Sequence, residues 1–313
     1  MECLYLVIPC YNEEAVLPET GKRLTEKLHT LIRDGKVSGQ SRIAFVDDGS
    51  KDRTWALIEE LHAHDGLVQG IRLSRNEGHQ NALLAGLMTV KDQADITVTL
   101  DADLQDDIDA IDGFLEKRGE GCDVVYGVRN SRASDTVFKR KTAVCFYRLM
   151  QTLGVDIVYN HADYRLMSRR AVEALSRFRE VNLFLRGIVP LIGFRSDTVP
   201  YERHERFAGQ SKYPLHKMLA FAWEGVTSFS VKPIRLIAAT GAIIFSVSIL
   251  MLLYFLFLFL QGKTVAGWTS IVISIWAIGG LQILSTGIIG EYIGKIYLEA
   301  KGRPQYLIDQ YLQ

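Results

Sequence analysis

The chain has 313 residues, with 36 Lys and Arg against 36 Asp and Glu and a formal net charge of zero, so no global field draws it to nucleic acid. That length holds one large domain or two modest ones. The four cysteines (Cys3, Cys10, Cys122, Cys145) lack metal-type spacing and read as reduced, packed thiols.

In chain order, LYLVIPC (4–10) is a short apolar, β-rich run containing Pro9. It is too short, and lacks the basic flank, for a signal peptide. A helical pattern follows, with Leu17, Leu24, Leu28 and Leu31 on one face. RIAFVDDGS (42–50) is a second strand-like run ended by an acidic turn, after which Trp55, Ile58 and Leu61 share a helix face. VQGIRLS (68–74) precedes a third helical pattern through Leu83, Leu84, Leu87 and Met88. DITVTLDAD (95–103) and CDVVYGVR (122–129) complete the series. Nearly continuous apolar strands alternating with helices predict an α/β fold with a mostly parallel sheet, covered on both faces.

Ligands of such sheets gather at the carboxyl ends of the strands. Here Pro9, Tyr11, Asn12 and Glu13 mark the end of the first strand, and Asp47, Asp48, Gly49 and Ser50 the second. Ser74, Arg75 and Asn76 follow the third, Asp101 and Asp103 the fourth. One such end is an ordinary turn; four point to a site. An Asp-x-Asp pair on an extended segment offers two hard oxygen donors, suited to Mg2+ or Mn2+ with water and phosphate oxygens completing the coordination. His62 and His64, two apart in a helical pattern, face different ways and make no zinc pair.

The ordered set VIPCYNEE, VDDGSKDRT, LSRNEGHQNALLAG, DADLQD and ADYRLMSR resembles the successive motifs of inverting nucleotide-sugar glycosyltransferases with the glycosyltransferase-A (GT-A), Rossmann-like fold. Taken with two uncharged C-terminal runs, the chain is similar to the polyprenyl-phosphate glycosyltransferases, which include dolichol-phosphate mannose synthases and bacterial undecaprenyl-phosphate glucosyltransferases. The resemblance implies that Pro9, Tyr11, Asn12 and Glu13 hold the nucleoside and that Asp47 or Asp48 touches base or ribose. It places Arg75 and Asp101 in the donor site, Asp101 and Asp103 on the metal with Gln105 able to join, and Asp163 near the reacting sugar and acceptor. On local pattern alone Asp163 reads as a turn or N-cap residue. His79 stands where Lys is expected in many relatives, which leaves the charge there open.

Arg129 and the stretch after it, where Lys139, Arg140, Lys141 and Arg148 alternate with Val137, Phe138, Val144 and Phe146, suit a lipid phosphate and an anionic membrane surface, or a solvated helix face. Arg206, Gly209, Ser211 and Lys212 resemble the family's loop near the acceptor and donor phosphates. Residues 236–260 and 264–290 carry no charge, and each run is long enough to cross a bilayer, which takes about 20 residues. The expected organisation is a glycosyltransferase domain over 1–212, an interfacial helix over 213–233, transmembrane helices over 234–260 and 266–290, and a tail over 291–313. Lys232, Arg235, Lys295, Lys301 and Arg303 flank the spans and place the domain and both termini on the cytoplasmic side of the plasma membrane. Gly279, Gly280, Gly287 and Gly290 suit a homo-oligomer.

The resemblance thus implies inverting, metal-dependent transfer of a hexose, glucose first, from a UDP-sugar to undecaprenyl phosphate for cell-envelope glycan modification. Its implied partners are the two substrates, the bilayer, a lipid-sugar flippase and a downstream glycosyltransferase, and no nucleic acid. A GDP-mannose-using mannosyltransferase is the near alternative, and a non-catalytic nucleotide-sugar-binding membrane scaffold is the alternative of another class. A processive synthase is disfavoured, since none of the four Trp residues follows an Arg.

Overall fold

The computed structural model describes residues 1–129, 161–180, 184–202 and 268–313, with scattered positions between 234 and 261. The chain forms two compact units, Met1–Tyr147 with Asp156–Pro214 and Arg303–Gln313, and Arg148–Val155 with Leu215–Gly302.

In chain order the described elements of the first unit are β1 (Leu4–Cys10), α1 (Leu17–Arg33), β2 (Arg42–Asp47), α2 (Thr54–His64), β3 (Val68–Leu73), α3 (His79–Val90) and β4 (Ile96–Thr99). They continue with α4 (Ala110–Gly119), β5 (Val124–Arg129), β6 (His161–Ser168), α5 (Arg169–Leu175), α6 (Leu185–Leu191) and β7 (Ser196–Tyr201). Long after these comes the C-terminal strand, β8 (Ile308–Leu312). The strands make one eight-stranded sheet in the order β7-β5-β6-β4-β1-β2-β3-β8. β4, β1, β2 and β3 run parallel, as do β5 and β7, while β6 and β8 enter antiparallel.

The parallel centre follows from local sequence. β1 and β4 are buried at every position, because helices cover both sheet faces. On α1, Leu17, Leu24, Leu28 and Leu31 are all buried, each contributing about 1.5–3 kcal/mol on leaving water. α3 packs tightly on the sheet. A Cβ on Gly86 would stand 2.4 Å from Val7 Cγ1 and 2.7 Å from Val46 Cγ2, so glycine lets the helix carrying His79 and Gln80 press onto β1 and β2.

Three strands depart from the sequence reading. β6 inserts between β4 and β5, so Asp163 sits within a strand rather than in a turn or helix cap. Its alternation is obscured because Asp163 and Arg165, both buried, occupy one face. β7 forms one edge of the sheet. β8 falls in the segment expected to be a tail and covers the β3 edge, with Ser74 N–H donating to the Leu307 carbonyl at 2.9 Å.

In the second unit, α7 (Trp268–Lys301) runs 34 residues, continuing past residue 290, where the second span was expected to end. Ile271, Ile275, Ile283, Leu284, Ile293 and Ile296 are exposed along it. The described positions between 234 and 257 are helical, with Ile243, Val247, Leu250, Leu253 and Phe257 exposed. Among the described residues, no helix is long and apolar enough to cross a membrane. The expected interfacial helix over 213–233 lies outside the described residues.

Candidate active site

The loops after β1, β2 and β3 are tied together by turn chemistry. Asn12, at φ 54°, donates its N–H to Ser50 Oγ at 2.9 Å and accepts from Lys51 N–H through Oδ1 at 2.9 Å. Glu13 N–H donates to Thr54 Oγ1 at 2.9 Å. Gly49 has φ 63°, and a Cβ there would stand 2.5 Å from the Arg75 carbonyl carbon, so only glycine lets the β2 loop close on the β3 loop. Asp48 accepts from Glu77 N–H at 2.7 Å and Gly78 N–H at 2.9 Å, one bond to each carboxylate oxygen. Asp47 accepts from Ser50 N–H at 3.2 Å and lies 3.7 Å from Arg72 Nε. Burial pushes both carboxyls up from the ordinary range, and the N–H groups of their loops work against it. Both aspartates therefore shape the loops. Pro9 is buried in β1, paired with Val46, while Tyr11 is exposed at the rim. The Arg75 side chain is largely exposed and pairs with Glu77 Oε1 at 2.6 Å.

The acidic cluster lies beyond β4. Leu104 takes φ 56°, an uncommon conformation for a γ-branched residue, and the turn lets Gln105 N–H donate to Asp103 Oδ1 at 3.2 Å. His79 Nε2 bridges two carboxylates, 3.6 Å from Asp101 Oδ1 and 3.6 Å from Asp163 Oδ2. Loss of hydration pushes the Asp101 carboxyl up to about 6; His79 opposes this, while Asp106, Asp163 and Asp103 add to it. Burial alone would lower His79, but Asp163 and Asp101 outweigh it and raise the imidazole.

Asp163 behaves oppositely. Arg165 Nη2 donates to its Oδ1 at 2.7 Å, Arg186 Nη2 to Oδ2 at 3.0 Å and Arg186 Nε to Oδ1 at 3.2 Å. Gln80 Nε2 adds a long contact at 3.4 Å, and Gln80 Oε1 accepts from Leu185 N–H at 3.0 Å, joining α3 to α6. Thr99 Oγ1 donates to the Asp163 carbonyl at 2.5 Å. Burial would raise this carboxyl, yet Arg186, His79 and Arg165 hold it well below the usual range. It stays ionised and is a poor proton acceptor. Alongside, Tyr201 Oη donates to Asp106 Oδ1 at 2.6 Å, and Arg129 reaches Tyr201 Oη at 3.2 Å and Asp106 Oδ1 at 3.7 Å.

The structure thus gathers Asp101, Asp103 and Asp163 as the motifs suggest, and adds Gln80, Asp106, Arg165, Arg186 and Tyr201, which sequence reading passed over. Arg165 had a signal, since it lies two residues after Asp163 on a strand and so shares its face. Arg186 had none. Lys139, Arg140, Arg206 and Lys212 lie outside the described residues. Among the described residues no three His, Cys, Asp or Glu side chains converge as a ready metal cage.

Residues 5–176 match the family model Glycosyl transferase family 2. A Bacillus subtilis (strain 168) protein named uncharacterized glycosyltransferase YkoT is 55% identical over 98% of this chain and 91% of its own. The bactoprenol glucosyl transferase of Shigella phage SfX is 40% identical over 97% of both chains. The prophage bactoprenol glucosyl transferase homolog of Escherichia coli (strain K12) is 39% identical over 97% of both. With its mostly parallel α/β sheet and acidic strand-end cluster, the chain belongs to glycosyltransferase family 2 and is a glycosyltransferase.

Proposed function

We propose that this enzyme transfers a hexose, glucose first, from a UDP-sugar to a polyprenyl phosphate at the cytoplasmic face of the plasma membrane, inverting the anomeric centre. The observation that carries the reading is the meeting of Asp101 and Asp163 across His79 at the carboxyl edge of the sheet. Full-length similarity to proteins named bactoprenol glucosyl transferase supports the choice of acceptor and sugar.

The residues fit a divalent cation. Asp101 is raised to about 6, first by burial and then by the nearby carboxylates of Asp106, Asp163 and Asp103, a potential that a cation relieves, and Asp101, Asp103 and Gln105 present oxygen donors of the right hardness. Bound there, Mg2+ or Mn2+ would balance the charge developing on the departing nucleoside diphosphate. The chain's own groups do the rest. The tied loops at Pro9–Glu13 and Asp47–Ser50 hold the nucleoside in place. A phosphate acceptor, with a second pKa of about 6, is already anionic near neutral pH and needs orientation more than a base. Asp163, kept ionised, supplies fixed negative charge beside the reacting centre rather than accepting a proton.

The membrane reading rests on the complete uncharged runs, which include positions outside the described residues. Rows of exposed Ile, Leu and Phe in the second unit support it, since water-facing surfaces seldom carry so continuous an apolar patch. The return of β8 to the β3 edge supports an even number of crossings: the chain leaves the first unit after Pro214 and rejoins the same sheet. Assembly into a homo-oligomer and hand-over to a lipid-sugar flippase and downstream glycosyltransferase complete the proposal.

The test incubates purified full-length protein with undecaprenyl phosphate and labelled UDP-glucose, UDP-galactose, UDP-N-acetylglucosamine or GDP-mannose, with and without EDTA. Label should enter lipid from UDP-glucose, stop with EDTA and return with Mn2+. Transfer from GDP-mannose alone would replace glucose with mannose, and donor binding without any lipid product would favour the scaffold.

A further inference from the structure

We propose that Arg186 is the guanidinium that receives the acceptor phosphate, and that Asp163 is the residue that positions it. The inference rests on the preceding reading that the acceptor is a lipid phosphate.

Asp163 carries two arginines where one would balance it. Arg165, its neighbour on β6, keeps only 1% of its side chain accessible and also donates to the Leu185 carbonyl, as a structural counter-ion does. Arg186 comes from a different element, α6, and keeps 32% of its side chain accessible. Bonds from both Nε and Nη2 hold its guanidinium plane against the carboxylate. Such an arrangement fixes the orientation of a planar fork without burying it.

A second arginine faces the same neighbourhood. Arg129 is held by Tyr201 and Asp106 and keeps 27% of its side chain accessible. Arg129 ends β5 and Asp163, the anchor of Arg186, lies on β6, the strand paired with β5. Two partly accessible guanidiniums, each held by a carboxylate, would both be stabilised by an anion within reach. His79 links Asp163 to Asp101, which with Asp103 suits the cation of the donor diphosphate. The arginine side is left to the other phosphate in the reaction, that of the acceptor.

The experiment uses the full chain in detergent or vesicles containing undecaprenyl phosphate, with Arg186→Ala and Arg186→Lys variants. Donor affinity is read from UDP-sugar binding, and acceptor use from KM and kcat against lipid phosphate. Loss of one charge-assisted bidentate contact should raise the acceptor KM about 10- to 100-fold in Arg186→Ala while donor affinity stays within about two-fold. Arg186→Lys, which keeps the charge and a partner for Asp163, should restore part of that loss with an unchanged Tm. An unchanged acceptor KM in both variants, or donor affinity falling by the same factor, overturns the assignment. Adding Asp163→Asn to Arg186→Ala should cost no further acceptor KM, because the carboxylate acts through the guanidinium; additive losses would remove the positioning role. If the unaltered enzyme transfers nothing to any lipid phosphate, the parent reading fails instead, a result separable from an active enzyme indifferent to Arg186.

Discussion

The two sides of the site are built from different forces. On the side proposed to hold the donor, the loops after β1, β2 and β3 are stitched by short bonds between backbone N–H groups and Asn, Ser, Thr and Asp side chains. On the reaction side, β4, β6 and α6 are held by buried charges, with Asp163 between Arg165 and Arg186 and Asp106 beside Arg129. Backbone-satisfied loops give a shape formed before any ligand arrives. A charge network is sensitive to each new charge, and the proposed reaction brings a cation and two phosphates. The donor side is a mould, and the reaction side a balance.

The largest effect should come from upsetting that balance at its acidic end. Asp103→Ala should lower transfer roughly 10²- to 10³-fold or more while the protein still folds, as measured with labelled UDP-glucose and undecaprenyl phosphate. Near-normal turnover would remove the acidic cluster from the chemistry.

Next comes Asp163→Asn, which leaves Arg165 buried beside a neutral partner and should cost about 3–5 kcal/mol in unfolding. Its pH dependence has a definite sign. Because the folded Asp163 carboxyl is held below its unfolded value of about 3.9, its stabilisation is present above that pH and is lost as pH falls through the lower folded value. Wild type should therefore exceed the variant in Tm at pH 7 and lose much of that margin on acidification below about pH 4. A margin that stays constant would show that the ion pairs contribute little.

The donor-side mould should respond in stability and donor affinity together. Gly49→Ala forces a Cβ onto the Arg75 backbone at a positive φ, costing about 1–3 kcal/mol and raising donor KM. Smallest is Thr54→Val, which removes the acceptor for Glu13 N–H and a hydroxyl bonded to Asp52 at 2.6 Å, for about 1 kcal/mol by thermal unfolding. If these two variants moved acceptor KM more than donor KM, the division of the site would be drawn in the wrong place.

The same contrast explains what was legible. The strand-end loops could be read because their chemistry is local: Asp, Gly and Ser in VDDGS must turn, and an Asp-x-Asp after VTL must sit at a strand end. Asp163 was found through its motif, yet its strand was not, since a buried Asp and Arg on one face break the hydrophobic alternation that identifies strands. Arg186 was invisible, because a guanidinium in FLRGIVP looks like any surface cation until α6 folds against β6. The C-terminal strand IDQYL read as a tail because it has no hairpin partner nearby. Its partner, β3, lies more than two hundred residues earlier.

Sequence by itself therefore determined the parallel centre, the helices that cover it and the acidic loops at its carboxyl edge, because periodicity and turn preference act over a few residues. Only tertiary structure decided the antiparallel entry of β6 and β8, the bridge of His79 between Asp101 and Asp163, and the choice of Arg165 and Arg186 as counter-ions. A buried charge has no stable place of its own, and the partners that make it tolerable are brought from distant parts of the chain by the packing of the sheet.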